Sequence, residues 1–454
     1  MLLRGRLTLL LLALGVVLGL DAWLGSAREE TPPAVPGPPE VVRPSHPLPA
    51  GPPAPSLAPA QLFAHIPVTR ERWEDLEART PLWAAKRRRR VETVPVPASR
   101  PDLSGPLEVE YALDGDLMRA VFRILRQGRV ELGHAIVMDP QSGRVLAYAS
   151  TDLERFPPDR AYPAASLVKV ITAAAALHHA PEASQDSCRT VGNPYRLTPS
   201  RVDPQPGGRS VSLRRALATS NNQCFAQLAV HQVGGPNLLG AIDRFGWRLA
   251  PAPLHPAGEV ETWSDDYTLG RLGSGLSGAH ITPLHAAQLA GTLTHGRRMS
   301  PHWISGVKDA EGRHLLLPSP PGEVVMTPEL AGRLREMLVD TTVRGTARRA
   351  FRTRRGPLLG SIAVAGKTGS LSGSDPKGRY EWFIGAAPAQ EPRLVVAVVV
   401  VQGSIWWVTP SQVAAEILKV AFCPKGVCSA SAADRWLQPR VAPEVAPTLL
   451  ARGS

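Results

Sequence analysis

The stretch Ala164-Ala165-Ser166-Leu167-Val168-Lys169-Val170-Ile171 decides how the rest of the chain reads, because it sets a hydroxyl and an amine three residues apart in an otherwise apolar segment. Residues 167–177 are apolar at nearly every position. On a helix that leaves no face for water, which marks a buried helix. Pro163 just upstream suits the approach to a helix N-terminus, so Ser166 falls in the first turn with Lys169 on the same face. Burial disfavours an ammonium, so a lysine held there can act as a neutral base, which an unreactive serine hydroxyl needs to become a nucleophile. Unpaired N–H groups at the helix start offer donors to a developing oxyanion. A lone Ser-x-x-Lys tetrapeptide is weak evidence, since a capping serine and a lysine reaching for water give the same four letters.

Two further sites strengthen it. Residues 213–218 read as a helix that breaks at Thr219-Ser220-Asn221-Asn222 before a second helix over 225–233. A polar break of this kind either caps a helix or projects side chains into a cleft. In the last quarter, residues 362–366 read as a buried strand running into Lys367-Thr368-Gly369-Ser370, where the flanking glycines let backbone approach a ligand closely. Strands are predicted over 381–387 and 394–401, the latter apolar enough to be central, and a closing helix over 412–422. Upstream, Met118, Val121, Phe122 and Leu125 recur at helical spacing. Residues 135–138 and 145–149 read as a hairpin around Asp139-Pro140-Gln141-Ser142-Gly143.

The N-terminal third has another character. Arg4 and Arg6 precede an apolar run over 7–20, followed by Asp21-Ala22-Trp23-Leu24-Gly25. The flanking arginines and interfacial Trp23 favour an uncleaved membrane anchor over 1–27 with an exported body; Gly25-Ser26-Ala27 as a signal cleavage site is the alternative. Residues 28–60 are proline-dense and read as a stiff linker. Residues 61–106 form a short N-terminal region containing a charged helix over 70–79 and the basic cluster Lys86-Arg87-Arg88-Arg89-Arg90. In an exported chain that cluster reads as a solvated face, or one attracted to anionic lipid or wall polymer, and not as a nucleic-acid arm. The net charge of +12 implies only non-specific attraction to anionic surfaces. The main domain is placed at 107–425, with a disordered tail over 426–454. Cys188, Cys224, Cys423 and Cys428 allow three complete pairings, with Cys423 to Cys428 a natural short loop. No histidine or third thiol near that loop makes it a metal site.

Taken in order, Ser166-x-x-Lys169, Ser220-x-Asn222 and Lys367-Thr368-Gly369 resemble the penicillin-binding protein transpeptidase and active-site serine β-lactamase superfamily. The likeness runs over residues 107–422. It is reinforced by Gly278-Ala279-His280-Ile281-Thr282-Pro283-Leu284, by Arg344-Gly345-Thr346-Ala347 and by Trp382-Phe383-Ile384-Gly385. The resemblance implies an α/β (α+β) fold: a five-stranded antiparallel sheet flanked by helices, plus a helical subdomain, with the cleft between them. It further implies that Ser166 attacks the penultimate D-alanine carbonyl of a peptidoglycan stem peptide, giving an acyl-enzyme, and that Lys169 takes its proton. Ser220 would relay a proton to the leaving nitrogen, Asn222 would hold Lys169 and the substrate amide, and Lys367 would add positive potential. Thr368 and Ser370 would bind the terminal carboxylate, with Gly369 allowing the close approach and the Ser166 and Ser370 N–H groups forming the oxyanion hole.

An amine from a second stem peptide would complete a cross-link, and β-lactam antibiotics would acylate Ser166 in the same way. No cofactor or metal is expected, because the nucleophile, base and oxyanion donors all come from the protein. His280, His285 and His295 are expected to be structural or surface residues. The span between the apolar run and the domain leaves no room for a glycosyltransferase domain, so a monofunctional enzyme is expected, with other wall-synthesis proteins as partners. A D,D-carboxypeptidase, a β-lactamase-like hydrolase or a non-catalytic penicillin-binding scaffold are the competing readings. Asn222 argues against class D lactamases, and the presence of both Lys169 and Lys367 argues against a scaffold.

Overall fold

In the computed structural model the apolar run of the last quarter sits in the middle of the main sheet, as its composition requires. The structure describes residues 69–79 and 89–437, apart from 97, 99, 182–187, 254 and 316–321. The expected anchor and proline-rich linker lie outside these residues. Among the described residues no helix is long and apolar enough to cross a membrane.

The chain opens with helix α1 (Arg70–Arg79), whose Trp73 and Leu76 are buried although the rest of it is charged. Strand β1 (Arg89–Val94) pairs antiparallel with β2 (Leu107–Asp114). The Asp114 carboxylate then caps α2 (Gly115–Gln127) by accepting from Leu117 N at 2.9 Å, which satisfies one of the helix's orphan donors. Met118, Val121 and Leu125 give α2 its buried stripe, with Phe122 partly buried beside them. The hairpin follows as β3 (Gly133–Met138) and β4 (Val145–Ser150), buried throughout. Next come α3 (Val168–His179), α4 (Leu213–Thr219), α5 (Asn222–Gln227), α6 (Gly235–Arg244), α7 (Asp266–Gly273) and α8 (Pro283–His295). Strand β5 (Ile304–Lys308) adds to β2 as the third strand of the small sheet. Helix α9 (Pro328–Val343), strands β6 (Ala365–Ser374), β7 (Lys377–Ala387) and β8 (Leu394–Gln402), and helix α10 (Pro410–Phe422) complete the fold.

The main sheet has five strands in the order β6-β7-β8-β3-β4, every neighbouring pair antiparallel. Every residue of β8 is buried, so its valines read as a continuous apolar run and not as an alternation. Each such side chain contributes about 1.5–3 kcal/mol relative to exposure. Helices α2 and α10 pack together against this sheet, as do α8 and α9, while α3 to α7 gather into a helical layer. Strand β6 is an edge, and its free side is where the helical layer meets the sheet. The expected α/β class with this five-stranded sheet is therefore the one observed.

Three expectations change. The lysine-bearing strand starts at Ala365, while residues 362–364 lead into it as turn and coil. The folded region reaches back past residue 107, since β1 is hydrogen-bonded to β2. The expected disorder after Cys428 does not hold up to residue 437. Residues Ala430–Arg435 form a 3-10 turn, Ala433 and Trp436 are buried, and Arg144 Nη2 donates to Trp436 O at 3.2 Å. A tail rich in alanine and serine was read by composition, but one tryptophan against a groove outweighs the average. The cysteines pair as Cys188 with Cys224 and Cys423 with Cys428.

Candidate active site

Ser166 stands in a 3-10 turn, Ala165–Leu167, that leads directly into α3. This turn puts Ser166 and Lys169 on one side, with their terminal atoms 2.8 Å apart. Ala165 carries a positive φ of 51°, a region that side chains other than glycine's avoid, so the residue before the serine is held there by its surroundings. Gly275 supplies part of that constraint: a Cβ on it would stand 2.0 Å from Ala165 O. The bare backbone of 274–275 can thus press against the serine turn.

Lys169 is fully buried and its pKa lies well below the ordinary lysine range, first through burial and then through the charge of Lys367. Besides Ser166 it contacts Asn222 Oδ1 at 2.7 Å and Ser274 O by a short hydrogen bond. A neutral amine has two protons and one lone pair. Asn222 Oδ1 and Ser274 O can only accept, so they take the two protons, and the lone pair is left facing the Ser166 hydroxyl. The arrangement is that of a base ready to receive the serine proton.

The polar break between α4 and α5 serves both as cap and as projection. Asn221 caps α5, accepting from Cys224 N at 3.0 Å, while Ser220 takes a left-handed conformation at φ 56°. Between them the backbone is turned so that Ser220 and Asn222 line the cleft. Asn222 Nδ2 donates to Tyr195 O at 2.8 Å, which fixes the amide so that its oxygen faces Lys169. The segment after α9 buttresses this break from behind. Thr346 N donates to Ala218 O at 3.0 Å, and a Cβ on Gly345 would stand 2.1 Å from the same oxygen.

From the sheet side, Lys367 is also fully buried, and its Nζ donates to Ser220 Oγ at 3.0 Å and to Thr368 O at 2.7 Å. Burial lowers its pKa to about 7. The Thr368 hydroxyl lies 2.6 Å from that of Thr346. Gly369 packs against the serine turn, where a Cβ would meet Ala164 O at 3.2 Å and Ala165 Cβ at 3.3 Å. Trp382 Nε1 donates to Pro163 O at 2.9 Å and ties β7 to the same turn. Ser370 accepts from Arg379 Nε at 2.6 Å and donates to Glu381 Oε1 at 3.4 Å.

All three sequence signatures therefore meet. Ser166, Ser220, Asn222, Thr368, Gly369 and Ser370 line one cleft of about 860 Å³, with Lys169 and Lys367 buried in its wall. Sequence reasoning missed the Ser274 carbonyl, Tyr195, Thr346 and Arg379. The glycines flanking Ser274 and the Arg344-Gly345-Thr346-Ala347 stretch carried a signal for two of them; nothing local marked Tyr195 or Arg379. Of the histidines, His285 belongs to the cap of α8 through Thr282, and its Nε2 faces Leu249 O at 2.7 Å. Burial lowers its pKa to about 4. His295 Nε2 faces Pro140 O at 2.9 Å, and His280 borders a neighbouring cavity.

Comparison with known proteins agrees with this geometry. A family model described as the penicillin binding protein transpeptidase domain matches residues 133–422. The chain is 29% identical over 256 residues to peptidoglycan D,D-transpeptidase PbpA of Mycolicibacterium smegmatis, covering 53% of this chain and 50% of that protein. The PbpA of Mycobacterium tuberculosis H37Rv is likewise 29% identical, with 54% and 50% covered. The match thus spans about half the length of these curated relatives. Among solved structures, PBPA from M. tuberculosis superposes with a TM-score of 0.57 at 24% identity, covering 69% of this chain and 82% of that one. Its imipenem acyl-enzyme complex gives 0.56 at 22%, covering 69% and 79%. At these identities the likeness is one of fold.

Proposed function

Because this chain belongs to the penicillin binding protein transpeptidase family, we propose that it is a peptidoglycan D,D-transpeptidase that works through an acyl-enzyme on Ser166 and is acylated there by penicillins. The observation that carries this reading is the buried Lys169 amine 2.8 Å from the Ser166 hydroxyl, with its two protons directed elsewhere.

In this mechanism Lys169 accepts the Ser166 proton as Oγ attacks the penultimate D-alanine carbonyl. The Ser166 and Ser370 N–H groups receive the oxyanion. Collapse of the tetrahedral adduct breaks the peptide bond, and the proton reaches the leaving nitrogen through Ser220, which Lys367 holds. Asn222 positions Lys169 and the substrate amide, while Thr368 and Ser370 take the terminal carboxylate beside the Lys367 ammonium. The amine of a second stem peptide then attacks the ester and restores Ser166. The Lys169 and Lys367 positions each carry the charge state the step needs: one amine shifted toward neutrality, the other near its midpoint at neutral pH. Residues 1–27 as a membrane anchor, an extracytoplasmic catalytic domain and other wall-synthesis proteins as partners complete the proposal, on the strength of Arg4, Arg6, Trp23 and the proline-dense linker.

Labelling with a fluorescent penicillin tests it. Wild-type protein is expected to carry covalent label that survives denaturation, and Ser166→Ala none; label on Ser166→Ala would move the nucleophile elsewhere. Incubation with a pentapeptide donor and an amine acceptor then distinguishes cross-linked product from the trimmed tetrapeptide of a carboxypeptidase.

A further inference from the structure

The mechanism leaves two charged side chains in the cleft without a task, Arg379 and Glu381, both on β7 and both bordering the cavity that holds Ser166. They are joined through Ser370. Arg379 Nε donates to Ser370 Oγ at 2.6 Å, so the serine's own proton turns to Glu381 Oε1 at 3.4 Å. The other Glu381 oxygen accepts from Gln402 Nε2 at 3.3 Å, and the same amide donates to Val408 O at 2.7 Å. That last bond holds the loop carrying Trp406, whose ring centroid lies 5.9 Å from the Arg379 guanidinium carbon.

Arg379 is thus fixed from two sides, by a hydroxyl and by an aromatic face, yet among the described residues it forms no ion pair and its Nη groups have no acceptor. A guanidinium that spends only its Nε keeps its forked end for a planar anion. The anion that reaches Ser370 in the proposed reaction is the terminal carboxylate of the donor peptide. Glu381 stands across the β6–β7 ladder from Ser370, at the paired position, and takes the Ser370 proton that an incoming carboxylate would need.

We infer that Arg379 is a specificity-determining residue that receives the donor's terminal carboxylate together with Ser370, and that Glu381 is its built-in competitor, occupying the Ser370 hydroxyl until substrate displaces it. This rests on the transpeptidase reading above and deepens it. The cleft selects donors that end in a free carboxylate, and the arginine and the glutamate act on that choice with opposite sign.

The test uses two probes, a penicillin labelled on its acyl side chain with a free carboxylate, and its methyl ester. The ratio of acylation rates, free acid over ester, is measured at subsaturating concentration. Arg379→Gln is expected to lower this ratio about tenfold, the loss of roughly one charge-assisted hydrogen bond. Arg379→Lys is expected to restore part of it, and Glu381→Gln to raise it severalfold. An unchanged ratio in Arg379→Gln, or a fall in Glu381→Gln that parallels the arginine variant, overturns the inference. If wild-type protein acquires label from neither probe, the transpeptidase reading fails and takes this one with it; label without the opposed responses sinks only the role of Arg379 and Glu381.

Discussion

Two lysines with no access to water stand within one cleft, and their protonation decides what the site can do. Lys169 has its pKa lowered by burial and by Lys367, so its neutral form, the one that can accept the Ser166 proton, prevails once pH rises through that lowered value. Lys367 has its pKa lowered by burial to about 7 and loses its ammonium above it. The signs oppose each other. Acylation at subsaturating penicillin is expected to rise with pH on the acid side, as Lys169 deprotonates, and to fall above about 7, as Lys367 ceases to attract the carboxylate. At saturating penicillin the alkaline limb is expected at higher pH, because a bound carboxylate favours the ammonium. A flat stopped-flow profile from pH 6 to 9 would show that the Lys367 charge contributes nothing to recognition. Much of this was legible in the sequence, since a lysine among alanines, valines and leucines has nowhere to put its charge. What the sequence lacked was the identity of the acceptors. Asn222 and Ser274 lie 53 and 105 residues from Lys169, and no local pattern pairs them with it.

At the scale of elements, the site is a junction of short pieces, each held by something outside itself. Helix α5 spans only Asn222–Gln227 and continues as a wider π turn over Leu228–Val233, so it has little intrinsic stability of its own. The Cys188–Cys224 bond, two residues beyond Asn222, fastens it to the strand Cys188–Thr190. Closing a loop of sequence separation 36 contributes about 3–4 kcal/mol in the chain-entropy view. The double variant Cys188→Ser, Cys224→Ser is therefore expected to unfold several degrees lower in calorimetry, and to lose acylation rate before it loses global structure. An acylation rate equal to wild type at 25 °C would show that α5 holds Asn222 in place without the bond. The sequence set out the helices and the strands because their apolar periods are long. It left the thiol pairing open, since three connectivities satisfy the same composition and only proximity chooses among them.

For the whole molecule, the sheet and the helical layer are separate bodies of core that close on each other along the edge of β6, and the chain beyond α10 returns to seal the far side of the sheet. Trp436 is buried there, and Arg144 reaches its carbonyl. Trp436→Ala is expected to cost about 3–5 kcal/mol, read as a lower denaturant midpoint, with penicillin acylation retained below the transition. A midpoint unchanged from wild type would mean that the segment packs without contributing to stability. Composition alone had assigned this segment to disorder, because an average over alanine, serine and proline hides one large aromatic. The sequence by itself determined the elements and the three signatures: apolar period gives each strand and helix, and a serine or lysine misplaced in an apolar run declares itself. Only the tertiary structure decided that the signatures share one cleft, that Lys169 surrenders both its protons to Asn222 and Ser274, and that Arg379 and Glu381 flank Ser370. Those facts depend on contacts between residues far apart in the chain, which side-chain packing settles and local periodicity does not encode.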